Sequence, residues 1–156
     1  MNDIKDKLLL WLREHQVLTA AVTGTDGRPY AAALFYAVDD DLSFYVVSDL
    51  KTRHGAAMLA TGYVAGTIQR DRQQWADSTG VQFTGVCRRL DGIERARGWA
   101  VFMMRFGFLK AVKLAGIGEL AAVLAKIDLW RIEPAWMRLI DNSVRFAHKE
   151  EWTRSA

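Results

Sequence analysis

Apolar and polar positions alternate along most of this chain with a period that changes from helix to strand and back. Ile4, Leu8, Trp11 and Leu12 recur at helical spacing between Lys5, Asp6, Arg13 and Glu14, which predicts an amphipathic helix over residues 4–15. Val17–Thr23 is rich in β-branched residues and predicts a strand. Thr25-Asp26-Gly27-Arg28 predicts a turn, because Asp-Gly tolerates positive φ. Pro29–Val38 returns as a second strand, its proline at the start, where a missing N–H costs least. After Asp39-Asp40-Asp41, Leu42–Ser48 forms a third, giving an antiparallel meander.

Thr52–Leu59 reads as a short helix with Thr52 as its N-cap. Tyr63–Gln69 is a strand, residues 70–79 a polar loop containing Trp75, and Gly80–Leu90 a strand in which Gly85 marks a bulge or a close backbone approach. From Ile93 to Ala125 helix formers dominate, broken near Gly107 and at Gly116-Ile117-Gly118. Ile127–Ile132 and Trp136–Ile140 are two late strands separated by Glu133-Pro134. Nothing divides the chain, so residues 1–156 are expected to form a single domain. It is mainly β (α+β), a split barrel of about six or seven antiparallel strands with flanking helices.

Composition narrows the function classes. The chain has 156 residues, is 51% hydrophobic with six Trp, and carries a formal net charge of +3, enough for a substantial core and a mildly basic surface. A single cysteine, Cys87, excludes an internal disulfide framework and predicts a cytoplasmic protein. No apolar run is long enough for a signal peptide core or a membrane span. His15, His54 and His148 lie far apart, with no His or Cys at ligand spacing, so no metal site is expected. Arg95, Arg97, Arg105, Lys110 and Lys113 make the later helical region basic. They read as a solvated helix face rather than a nucleic-acid surface. Trp99, Phe102, Met103 and Phe106 follow helical spacing and are read as core or dimer contact.

The chemistry concentrates between Phe44 and Gly55. A strand ends in a short segment bearing Ser48, Lys51, Thr52, Arg53 and His54, and a helix starts there. Helix N-terminal N–H groups favour an anion. Arg53 adds a fork of donors, Lys51 a point charge, and Ser48 and Thr52 short hydroxyls. A capped helix behind a solvated basic loop would carry the same residues.

Phe44-Tyr45 followed by Thr52-Arg53-His54-Gly55 resembles the pyridoxamine-5′-phosphate-oxidase-like split-barrel flavoproteins, specifically their YhbP-like branch. Gly27-Arg28-Pro29, the Val64–Ile68 strand and Gly80–Gly85 with Arg88-Arg89 follow in the family's order. The resemblance runs on through Arg105-Phe106 to Asp141-Asn142, Phe146 and Lys149. It implies a homodimer with FMN at the subunit interface and a small-molecule substrate. Thr52 and Arg53, with Lys51 and His54, would hold the phosphate. The flavin ring would lie along Leu34, Phe35 and Tyr36, and Gln82 would reach the flavin edge or the partner subunit.

Two features depart from the family's oxidases: Ala31–Phe35 supplies no charge, and no Arg-x-His signature follows Trp136. Pyridoxamine-phosphate oxidation is therefore not expected, since fold transfers more readily than activity. A flavin-dependent oxidoreductase is the leading expectation. The alternatives are a non-catalytic module for flavin or haem, and an interaction protein whose flavin site has decayed.

Overall fold

The computed structural model describes residues 3–107 and 116–156. Helix α1 (Ile4–Arg13) precedes strands β1 (Val17–Thr23), β2 (Pro29–Val38) and β3 (Phe44–Val47). Helix α2 (Arg53–Thr61) follows, then β4 (Tyr63–Gln69), a 3-10 turn (Trp75–Asp77) and β5 (Thr79–Arg89). Helices α3 (Gly92–Phe106) and α4 (Ile117–Lys126) lead into β6 (Leu129–Asp141) and β7 (Lys149–Thr153). Lys110 and Lys113, two members of the expected basic face, lie outside the described residues.

All seven strands form one antiparallel sheet in the order β3-β2-β1-β4-β5-β6-β7, and β3 also pairs with β6. That second pairing closes six strands into a barrel and leaves β7 as an added edge strand. Burial alternates along the strands as a half-buried sheet requires: Leu18, Ala20 and Val22 face inward from β1, and Val64 and Ile68 from β4. The interior is filled by Tyr36, Phe44, Phe83, Trp130 and Met137, with Leu8 and Leu12 of α1 and Met58 of α2 joining the same cluster. A smaller cluster lies outside the barrel, where Trp99 and Phe102 of α3 pack on Ala37, Tyr45 and Leu129. Gly98 makes that approach possible, because a Cβ there would meet Leu129, Leu90 and Tyr45 at 2.9 Å.

The meander, the Asp-Gly turn (Gly27, φ 76°), the Thr52 N-cap and the helix breaks at Gly107 and Gly116 are as the sequence predicts. The late strands are not. Glu133-Pro134 does not separate two strands, since β6 runs unbroken from Leu129 to Asp141. The register against β5 slips there, with Thr84 opposite Trp136 and Gly85 opposite Pro134, so the proline occupies a bulge where its missing N–H breaks no ladder. A Cβ on Gly85 would lie 2.2 Å from the Glu133 carbonyl oxygen, which is the close approach its position suggested. Strand β7 was not expected at all: Lys-Glu-Glu-Trp-Thr has no apolar alternation. It is held by pairing with β6 and by ion pairs from Arg138 to Glu151 (2.6 Å) and from Lys7 to Glu150 (2.7 Å).

Candidate anion site at the start of α2

The segment between β3 and α2 is pinned by Asp128, just ahead of β6, and by Trp130 within it. Ser48 N–H donates to the Asp128 carbonyl (3.1 Å), Leu50 N–H to the Asp128 carboxylate (3.4 Å), and Trp130 Nε1–H to the Ser48 carbonyl (3.0 Å). Trp130 is fully buried and Ser48 nearly so, so the bond between them forms away from solvent. The segment then turns on itself: Lys51 N–H donates to Asp49 Oδ1 (2.8 Å), and Thr52 donates both N–H (3.1 Å) and hydroxyl (2.7 Å) to the Asp49 carbonyl.

Thr52 Oγ1 accepts from Gly55 N–H (3.0 Å), the N-cap bond, and its backbone carbonyl takes Ala56 N–H. Those bonds leave the N–H groups of Arg53 and His54 at the positive end of the helix, which carries no acidic residue in its first turn. Gly55 is needed in this turn, because a Cβ would lie 2.2 Å from the Asp49 carbonyl oxygen. Ser48 Oγ and His54 Nε2 each lie 3.4 Å from Thr52 Oγ1, whose proton is already given to Asp49. Partial burial holds the His54 imidazole below its usual pKa, so it is neutral at pH 7.

The two flexible cations are free of carboxylates. Lys51 is exposed, and Arg53 extends back over Tyr30 of β2, its guanidinium carbon 5.2 Å from the ring centroid; neither forms an ion pair among the described residues. Ser48, Lys51, Thr52, Arg53 and His54 are thus brought together, although Thr52's hydroxyl is spent on the cap.

Strand β2 beside this segment has an open edge. It pairs with β1 from Pro29 to Phe35 and with β3 only from Tyr36 onward. The Tyr36 N–H···O=C bond to Gln16 fixes the antiparallel alternation: Tyr30, Ala32, Leu34 and Tyr36 bond toward β1. Ala31, Ala33 and Phe35 therefore direct their N–H and C=O groups to the open edge. Their side chains also face outward, whereas Leu34 packs on the core and Tyr36 is buried with its hydroxyl donated to the Leu12 carbonyl (2.6 Å). Of the three residues expected beside a flavin ring, only Phe35 presents a side chain outside, in an edge contact with Phe106. Gln82 lies on β5, three strands from β2 in either direction round the barrel, so its own chain places it on the opposite wall and does not bring it to this site.

Tyr30, Ala31, Ala33, Asp128 and Trp130 shape the site without having been singled out from sequence. The pairing of β3 with β6 supplies the last two, and no local pattern encodes it. Other candidate chemistry is absorbed by structure. Arg88 forms a two-pronged pair with Glu94 (2.6 and 2.8 Å), Arg89 meets Asp128 (3.4 Å), and Arg95 donates to the Ile127 carbonyl, so these three arginines are engaged within the chain. Cys87 is buried and its thiol is pushed up to about 11 by desolvation. Among the described residues no group of His, Cys, Asp and Glu is placed to hold a metal, and no helix is long and apolar enough to cross a membrane.

Comparison with known proteins gives one consistent picture. The family model described as pyridoxamine 5′-phosphate oxidase matches residues 4–141. A UPF0306 protein of Klebsiella pneumoniae (strain 342) is 34% identical over 147 residues, covering 94% of this chain and 90% of that one. Among solved structures, a heme binding protein from Mycobacterium smegmatis superposes with a TM-score of 0.76 at 16% identity, over 98% of this chain and 59% of the other. PhzG from Burkholderia lata 383, in complex with tetrahydrophenazine-1-carboxylic acid, gives 0.65 at 20% identity, over 96% and 85%. At these identities the two structures report the fold.

Proposed function

Because the chain belongs to the pyridoxamine 5′-phosphate oxidase family, in its UPF0306 (YhbP) group, we propose that it binds FMN as a homodimer and acts as a flavin-dependent oxidoreductase on a small molecule. The observation that carries this reading is the start of α2: two outward N–H groups, from Arg53 and His54, stand with Lys51 and Arg53 beside an open strand edge. A phosphate dianion suits that donor set, and no carboxylate pairs with either cation. Beside it, Ala31 and Ala33 are small enough for a planar ring to approach the backbone of β2. The alternating N–H and C=O groups there match the polar rim of an isoalloxazine. The chemistry supplied by a bound flavin is electron transfer between a donor such as a reduced nicotinamide, or oxygen as acceptor, and the substrate. The protein's part is phosphate grip, ring orientation and access.

Because β2 carries no charge, the grip comes from the start of α2 and from Lys51 just ahead of it, and pyridoxamine-phosphate oxidation is not part of the proposal. Gln82 lies too far from the cleft of its own chain, so its contact with a flavin would come from a second copy, with the cofactor between the two. The buried single thiol suits a reducing cytosol.

The test is an absorbance scan of the purified protein followed by FMN titration. Flavin bands near about 375 and 450 nm are expected, together with thermal stabilisation of about 2.7 kcal/mol at a hundredfold excess of FMN over its Kd. A Soret band would instead assign the cleft to haem. A colourless protein with no thermal shift in FMN would refute the proposal. Steady-state oxidation of NADH or NADPH then separates an enzyme from a carrier.

A further inference from the structure

Arg53 is held in place by an aromatic ring, and that ring is itself held. Tyr30 donates its hydroxyl to Asp26 Oδ2 (2.6 Å), while Asp26 Oδ1 accepts from Arg28 N–H (3.0 Å). These bonds keep the Asp26 carboxyl below its usual pKa and therefore ionised. The Tyr30 ring also lies against the backbone of Gly24, where a Cβ would sit 2.5 Å from Tyr30 Cε2 and 2.8 Å from Cδ2, a space that only glycine leaves. Above this platform stands the Arg53 guanidinium, 5.2 Å from the centroid. Asp26 is near enough to attract Arg53 but forms no ion pair with it among the described residues, its oxygens accepting from Tyr30 and Arg28.

Resting on the FMN reading above, we propose that Tyr30, anchored by Asp26 and Gly24, is a positioning residue. It presents Arg53 to the phosphate and thereby sets a preference for phosphorylated flavin over the unphosphorylated form. A guanidinium resting on a π face keeps its in-plane N–H donors available, whereas one paired with a carboxylate would have to exchange partners to take a phosphate. The hairpin turn between β1 and β2 thus becomes part of the specificity of a site whose other donors come from α2.

Riboflavin shares FMN's ring and lacks its phosphate, so the ratio of the two affinities isolates the effect. Kd values for both ligands are measured by titration for the wild type, Arg53→Ala, Tyr30→Leu, Tyr30→Phe and the Arg53→Ala/Tyr30→Leu double variant. Each single loss, Arg53→Ala or Tyr30→Leu, is expected to lower the FMN preference by about five- to tenfold. The double variant should fall no further than Arg53→Ala, and Tyr30→Phe, which keeps the face and loses the Asp26 bond, should fall between. If Tyr30→Leu keeps the wild-type ratio while Arg53→Ala loses it, the positioning role is overturned and the phosphate site stands. Equal weakening of both ligands by Tyr30→Leu overturns it too, as a merely structural effect. A wild type that binds both flavins equally removes the FMN reading and the inference together.

Discussion

Trp130 should be the residue on which the candidate site most depends for its shape. Its indole is fully buried and its Nε1–H donates to the Ser48 carbonyl at 3.0 Å, next to the two Asp128 contacts that pin the same segment. In Trp130→Phe the carbonyl keeps its burial and loses its donor, which costs about 1–3 kcal/mol. The missing five-membered ring adds a cavity and lost transfer energy of about 1 kcal/mol. The sum, about 2–4 kcal/mol, corresponds to a fall in Tm of roughly 4–16 °C for a chain of this size.

Urea unfolding followed by far-UV circular dichroism is the assay, because tryptophan fluorescence would change for trivial reasons. The midpoint should fall with an unchanged m-value. Trp75→Phe serves as the control: that residue is 79% exposed and its ring meets Phe146 in an edge contact, so the change should stay within about 0.5 kcal/mol. If Trp130→Phe unfolds within 0.5 kcal/mol of the wild type, or no further from it than the control, the reasoning is wrong.

Further outcomes follow from the same geometry. Gly55→Ala forces a Cβ to within 2.2 Å of a backbone oxygen, so it should destabilise by about 1–3 kcal/mol despite alanine's better helix propensity, read as a shifted urea midpoint. Thr52→Ala removes the N-cap acceptor for Gly55 N–H and should cost about 0.5–2 kcal/mol, with Thr52→Ser restoring most of it. His54 has its pKa lowered by burial, so the unfolded chain binds the proton more readily. Stability should be fully present above the unfolded value of about 6.5 and decline as pH falls from there toward the folded pKa. A His54→Gln variant should lose this part of the slope between pH 7.5 and 5.5, and an unaltered slope would count against it. Cys87, with its thiol pushed up to about 11, should resist a thiol reagent at pH 8 in the native protein and react on unfolding; rapid native labelling would contradict its burial.

What could be read from sequence was what neighbouring residues decide among themselves. Thr52 announces a cap because its hydroxyl bonds three residues along. Gly27 marks a turn because the turn needs its φ, and the donor residues from Lys51 to His54 form one unbroken run. Pro134 misled because a proline's meaning depends on its partner strand, and here that strand offers Gly85 at a register slip. Strand β7 escaped because an edge strand of charged residues has no periodicity to detect; its order comes from pairing with β6, from Arg138 opposite it, and from Lys7, which is distant in sequence. The donor set of the site was legible, but its support was not. Asp128 and Trp130 arrive through barrel closure, and Tyr30 meets Arg53 only because α2 folds back on β2.

That closure also fixes when the site can exist during synthesis. Phe44 pairs with Ile132 and Val47 with Leu129, contacts between segments that leave the ribosome far apart in time. A nascent chain can form the β1–β2–β3 meander and the first turns of α2 early, since these contacts are local. The segment carrying Ser48 stays without its anchors until Asp128 and Trp130 have emerged and β6 has docked. A fragment ending before β6 would keep every basic residue from Lys51 to His54 and still lack the floor on which they are arranged. An anion at this candidate site would be captured only by the finished barrel.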